Sequence, residues 1–202
     1  MRPNPADTVV DLYQRHASLW AQSRRRDLFE APWLDRFLST LPDGPRAVLD
    51  LGCGTGQPMA GWLLAQGCQV TGVDAAPAMI RHARSSLPKA RWITADMRAL
   101  PTMGPFHGIL AWHSLFHLTP DDQRALVATL GQLCMPGAAL MFTSGPAQGE
   151  AMGRLGDQPL FHASLAPADY RAVLHQNGFD VIRHAKNDPA CGGATIWLAR
   201  KV

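Results

Sequence analysis

No stretch of the 202-residue chain approaches the roughly 20 apolar residues that a membrane-spanning helix needs, so a membrane is not an expected partner. Cysteine is scarce too. Cys53, Cys68, Cys134 and Cys191 form no C-x-x-C pair, which removes the zinc and redox motifs built on that spacing. A chain of this length can build its own core without disulfide staples. The opening residues, Met1 to Val10, carry no apolar stretch behind Arg2, so no secretory signal is read there. These absences lead to the expectation of a reduced, cytoplasmic protein, monomeric or homodimeric, with no metal. Charged residues make up only 17% and the net charge is +3. That falls short of the concentrated basic face of a nucleic-acid binder, so a small molecule is the expected partner. Low-complexity tracts and internal repeats are also missing.

What the chain does have is 47% hydrophobic residues arranged in two alternating periods. Ala47 to Leu51 reads as a buried strand running into glycines. Met59 to Gln66 reads as a helix with Trp62 and Leu63 facing the core and Gly67 as its stop. Gln69 to Val73 is the next strand. Pro77 opens a helix over Ala78 to Ser85, and Arg91 to Thr94 and Phe106 to Trp112 are further strands. Thr119-Pro120-Asp121-Asp122 is a helix start: a capping hydroxyl, a first-turn proline and two acids at the positive end of the dipole. Leu126, Val127, Leu130 and Leu133 then recur at helical spacing. Pro136-Gly137 breaks the pattern before a strand at Ala138 to Thr143. A helix at Ala168 to Gln176 and strands at Phe179 to His184 and Thr195 to Ala199 complete the chain. This alternation predicts an α/β fold: a doubly wound, mostly parallel seven-stranded sheet with helices on both faces. The last two strands have no helix between them and are expected to pair as an antiparallel edge hairpin. Thr8 to Thr40 belongs to no β–α unit, and its Leu12, Leu19, Trp20, Phe29, Trp33, Leu34 and Phe37 predict packing over the sheet. The whole is read as one domain over 1–202, a helical lid at 1–45 and a core at 46–202.

The run Asp50-Leu51-Gly52-Cys53-Gly54-Thr55-Gly56 leaves a predicted strand and opens a predicted helix, at the carboxyl ends of the strands where ligands of such sheets bind. A mere glycine-rich turn is one reading. The dinucleotide fingerprint G-x-G-x-x-G is a second, and it fails because Gln57 stands where its third glycine belongs. A phosphate-cradling loop fails as well, since no Gly-Lys-Ser/Thr follows. The tighter G-x-G-x-G turn suits a ligand without a pyrophosphate. Val48 to Gly56 resembles the first motif of the class I S-adenosylmethionine-dependent methyltransferases, a Rossmann-like family, and further resemblance extends over about Ala47 to Gly145.

That resemblance implies S-adenosylmethionine as cofactor, with Asp50, Gly52, Cys53, Gly54 and Gly56 around it. Asp74 ends the second strand about 20 residues after the loop, where a carboxylate can accept both ribose hydroxyls. The following Ala75 and Met79 match the family's sequel, with Met79 against adenine. Asp96 and Met97, after the third strand, take the positions of the acid that accepts the adenine amine and of its apolar neighbour. His107 stands where the family often has an acid. Met135 to Leu140 resembles the family's proline-glycine turn before the fifth strand. Tyr13, Trp20 and Arg24 resemble an aromatic–aromatic–arginine spacing placed over the methionine end, although Arg24-Arg25-Arg26 leaves the choice of arginine open.

The end of the fourth strand should lie beside the transferable methyl, which places Trp112, His113, Ser114 and His117 where a substrate arrives. His113 and His117 are the candidate general bases, histidine being the natural choice near neutral pH. Glu150, His162 and Tyr170 are candidate substrate-binding residues, in or just after a loop-rich stretch following the fifth strand. The signature of nucleobase amine methylation, Asn or Asp before Pro-Pro and an aromatic, is absent where the chain reads Ala111-Trp112-His113-Ser114. The expected reaction is methyl transfer to an O or N atom of a small molecule. Action on a protein or RNA, or cofactor binding without catalysis, stand as the alternatives.

Overall fold

The computed structural model describes residues 5–23 and 27–202. The predicted leading helical segment is two helices, α1 (Pro5–Ser23), kinked at His16, and α2 (Ala31–Thr40). The alternating part follows as β1 (Ala47–Leu51), α3 (Met59–Ala65), β2 (Gln69–Asp74), α4 (Pro77–Ser86), β3 (Arg91–Thr94), β4 (Phe106–Ala111), α5 (Pro120–Leu133) and β5 (Cys134–Ser144). Then come β6 (Gly149–Leu155), β7 (Gln158–Ser164), α6 (Pro167–Gln176), β8 (Phe179–Asp188) and β9 (Ala194–Lys201). The start of α5 is built as its residues require: the Thr119 hydroxyl accepts the Asp122 N–H at 3.2 Å. Its end differs from expectation. Cys134 turns to extended backbone and β5 begins there, so Pro136-Gly137 lies inside the strand span, next to the register shift between Phe106 and Gly108 on β4.

Seven strands form one sheet in the order β3-β2-β1-β4-β5-β9-β8. The first five are parallel, and β9 runs antiparallel to both β5 and β8. The chain winds outward from β1 to β3, then returns to place β4 on the other side of β1. The crevice at the carboxyl ends of β1 and β4 is therefore a topological switch point, where this type of sheet binds ligands.

Side-chain alternation along each strand divides the core in two. Leu49, Ile109, Leu140, Phe142 and Trp197 pack with Leu126, Val127 and Leu130 of α5 and Val173 and Leu174 of α6. Val48, Leu110, Met141 and Leu198 pack on the other face with Trp33, Leu34 and Phe37 of α2, Leu63 of α3 and Ile80 of α4. At Gly108 the α2 side chains sit directly on the sheet: a Cβ there would stand 2.6 Å from Phe37.

The stretch after β5, read from sequence as loop, is a β-hairpin. β6 and β7 pair antiparallel from Gly149↔Ser164 to Leu155↔Gln158 and stand apart from the main sheet. The hairpin packs on α1: Val9 and Leu12 cluster with Leu155, Leu160, Phe161 and Ala163. The other side of α1 rests on α4 through Ala17, Ala78 and Met79, and the Gln14 side chain accepts the Ala78 N–H at 2.8 Å.

Candidate active site

The β1–α3 loop is bent by glycines at positive φ, Gly52 at 71° and Gly54 at 54°. It is clamped on both sides. The Gly52 and Cys53 amides donate to the Val73 carbonyl of β2, and the Ser114 hydroxyl donates to the Leu51 carbonyl at 2.7 Å. A Cβ on Gly52 would fall 2.3 Å from the Ser114 Cβ, so the loop and the exit of β4 leave space for nothing larger. Gly56 differs from its two neighbours. Its open side faces Trp92, 2.6 Å from where a Cβ would be, and it does not line the cleft. There it packs the loop against Trp92.

A cleft of about 970 Å³, open mouth included, lies at the switch point. Asp50, Gly52, Cys53 and Gly54 form its floor. Asp74, Ala75 and Met79 form one side, Asp96 and Met97 another, and Trp112, His113 and His117 the end beyond β4. Tyr13 and Trp20 of α1 cover it. Of fifteen site candidates from the sequence, thirteen line the cleft and Gly56 lies behind it, while Arg24 falls outside the described residues.

The electrostatics of the acids differ. Asp74 accepts the Gly54 N–H on one carboxylate oxygen and the Ala76 N–H on the other, both at 2.9 Å. Burial raises its pKa while those two amides pull it back. Each oxygen keeps a further lone pair toward the cleft. Asp50 is 3% exposed and its Oδ2 has no hydrogen-bond partner. Burial, and then the charge of Asp74, push its pKa up to about 7. Asp96 is held low by Arg98, whose Nε lies 3.1 Å from both carboxylate oxygens and whose Nη2 lies 2.6 Å from Oδ2. The same Nη2 donates to Asp7 of α1 at 2.7 Å. Sequence reasoning missed Arg98. An arginine two residues after an acid in a turn carries no periodic signal, and its second partner is 91 residues away.

At the other end His113 sits in a left-handed conformation, φ 51°, and its N–H donates to the Thr143 hydroxyl at 2.9 Å. That turn swings the side chain into the wall of two clefts at once. The second, about 1040 Å³ with its mouth, is bounded by Phe116, Ser144 to Ala151, His162 to Ser164 and Gly192 to Thr195. Glu150, exposed on β6, and half-buried His162 both line it. His117 is placed differently. Its Nδ1 lies 3.0 Å from the Phe161 carbonyl, which fixes the ring proton there, so Nε2 accepts from the Tyr13 hydroxyl at 3.2 Å. Burial above all, with His162 and His113 adding to it, draws its pKa down to about 4. His117 is thus neutral with its lone pair engaged.

Tyr170 is a correction. It is fully buried among the α5 and α6 side chains, and its hydroxyl donates to Gln123 at 2.5 Å. Neither cleft includes it, because a helix-face tyrosine next to Leu174 and Trp197 gains more from burial than from exposure. Among the described residues no group of three or more His, Cys, Asp or Glu is placed to hold a metal. No helix there is long and apolar enough to cross a membrane.

A family model described as a methyltransferase domain matches residues 48–137. The chain is 34% identical over 211 residues to a malonyl-[acyl-carrier protein] O-methyltransferase of Halorhodospira halophila, across 96% of this chain and 69% of that protein. It is 28% identical over 185 residues to the O-methyltransferase rstn1 of Aspergillus nomiae, across 83% and 80% respectively. A solved structure of an S-adenosylmethionine-bound amino pentose methyltransferase from Micromonospora echinaspora shares the fold, with a TM-score of 0.72 over 93% of this chain and 96% of that one at 20% identity.

Proposed function

The chain belongs to the class I S-adenosylmethionine-dependent methyltransferases, and from that premise we propose that it transfers a methyl group to an oxygen or nitrogen of a small molecule. The observation that carries this reading is His113, one side chain forming part of the wall of both clefts. The cleft over Gly52 and Gly54 takes the cofactor and the one beyond His113 takes the acceptor, so the two would meet at that residue.

The residues present fit the cofactor. Asp50 Oδ2 and Trp112 Nε1 are buried polar atoms without partners in the cleft wall, a costly arrangement unless a ligand completes it. Asp74 would take the ribose hydroxyls on its remaining lone pairs. Met79 and Met97 would hold the adenine, with Asp96 at its amine. Asp50 and the Gly52–Gly54 turn would meet the methionine end under Trp20. When bound, S-adenosylmethionine supplies a methyl already activated on a sulfonium. The chain's own task is then to align the acceptor with that methyl, to exclude water with α1, and to remove a proton where the acceptor carries one. His113 is the better placed of the two candidate bases, because it reaches both clefts while His117 has its lone pair on Tyr13. Glu150 and His162 would orient the acceptor.

Asp50 gives this reading a pH signature. Its folded-state pKa of about 7 lies above the ordinary 3.8, so between those values the folded state holds a proton that the unfolded state has lost. Folding stability therefore falls as pH rises through that window. A cationic ligand beside Asp50 favours the charged carboxylate. Cofactor affinity is expected to weaken as pH drops below about 7, with proton release on binding, and Asp50→Asn should remove both effects. Calorimetry in buffers of different ionisation enthalpy measures them, and a pH-independent wild-type affinity would contradict the placement.

The function itself is tested by transfer of labelled methyl from S-adenosylmethionine to a panel of hydroxyl- and amine-bearing metabolites. Turnover on a metabolite supports the proposal. Labelling only of protein or RNA, or cofactor binding with no transfer at all, selects one of the other two readings.

A further inference from the structure

On the outer side of α1, away from the cofactor cleft, a groove of about 670 Å³ runs between α1 and α4. Its polar lining is Gln14, Arg15 and Ser18 from α1 and Arg81, His82 and Ser85 from α4. No acid lines it. Asp11 lies one turn before Arg15, but the Arg15 Nε donates to its backbone carbonyl, at 3.3 Å. Among the described residues neither guanidinium forms an ion pair, and both arginines are exposed. The surrounding sequence adds to the field. Residues 75–95 contain Arg81, Arg84, Lys89 and Arg91 and no Asp or Glu. The apolar contact beneath this groove is made by Ala17, Ala76, Ala78 and Met79, with Tyr13 and Trp20 partly buried against them. Two side-chain hydrogen bonds cross the same joint, Gln14 with the Ala78 N–H at 2.8 Å and Ser18 with His82 at 3.5 Å. One arginine from each helix lines the groove, while the inner side of the joint carries Tyr13, Trp20 and Met79, which line the cofactor cleft.

We propose that the α1–α4 groove is an anion site for a phosphoryl group, held between Arg15 and Arg81, and that its occupancy holds α1 in place over the cofactor cleft. Guanidinium forks match phosphate oxygens in pairs, and the Ser18 and Ser85 hydroxyls add donors of suitable length. An anion bridging the two arginines ties the helices together. Binding at the groove and binding in the cleft are then coupled, and the coupling is reciprocal. The site stands on the groove alone, whereas the coupling rests on the cofactor reading above.

Two titrations test it, both at constant ionic strength set with chloride so that general screening is equal. In the first, inorganic phosphate is titrated into the protein without cofactor and followed by calorimetry, with glycerol phosphate in parallel to tell free phosphate from an esterified one. Saturable binding of either is expected, lost in Arg15→Gln and in Arg81→Gln. No binding, or binding that survives both substitutions, overturns the site. In the second, the affinity for S-adenosylhomocysteine is measured with and without saturating phosphate. Phosphate should strengthen it by about fivefold or more, the lower end of common coupling factors, and Arg81→Gln should abolish that gain while still binding S-adenosylhomocysteine in chloride. Phosphate that binds but leaves this affinity unchanged overturns the clamp. A protein that binds phosphate but no S-adenosylhomocysteine in either buffer overturns the clamp together with the cofactor reading, and leaves the groove as an anion site.

Discussion

Asp74→Ala is expected to weaken S-adenosylmethionine binding by roughly tenfold to 150-fold, the equivalent of about 1.5–3 kcal/mol for a lost hydrogen bond to a charged group. The carboxylate has two duties in one place. It holds the Gly54 and Ala76 amides, which set the glycine loop and the start of α4, and it keeps lone pairs facing the cleft. Asp74→Asn keeps the shape but only one acceptor oxygen, so its NH2 opposes either the Gly54 or the Ala76 amide. It should therefore lose one loop hydrogen bond together with part of the ribose contact, and fall between wild type and Asp74→Ala. Isothermal calorimetry on both variants, with thermal unfolding alongside, reads the result. Equal cofactor affinity in wild type and Asp74→Ala would falsify the ribose assignment.

The second large effect is expected at His113. If it removes the acceptor's proton, His113→Asn should slow single-turnover methyl transfer by roughly 10²–10⁴-fold while leaving cofactor affinity close to wild type. Asparagine is chosen because position 113 has φ 51°, a conformation asparagine tolerates better than most residues. A slow rate then reports the missing imidazole and not a strained turn. His117→Ala is the internal comparison. His117 is neutral and bonded to Tyr13 and Phe161, so its loss should loosen α1 and raise the cofactor dissociation constant more than it lowers the chemical step. Wild-type rates in His113→Asn with a known acceptor would mean that alignment alone accounts for catalysis.

The contrast between these two histidines shows how far the sequence reaches. Both were legible as candidates from their place after the fourth strand. Which of them faces the acceptor depends on a left-handed turn at His113 and on a carbonyl of β7 that captures His117. Phe161 is 44 residues from His117. No local pattern encodes that distance. The β6–β7 hairpin is a different case, since its signal was present. Gly156-Asp157 is a two-residue turn with glycine at the position needing positive φ, and it sits between Leu155 and Gln158. The flanking residues hid it. Gly149 to Arg154 are mostly exposed and polar or small, because the buried residues of the hairpin fall mainly on β7.

The sequence by itself determined the doubly wound sheet, the glycine turn at its switch point and the acids that follow the second and third strands. These rest on interactions close along the chain: strand and helix periodicity, capping, and the sterics of glycine. Only the tertiary structure decided that β9 enters between β5 and β8, that Arg98 ties Asp96 to Asp7, that Tyr170 is core, and that His113 joins two clefts. Each of these depends on which distant surfaces bury one another. That choice is made by the packing of the whole chain, where the area removed from water and the pairing of buried polar groups are settled together.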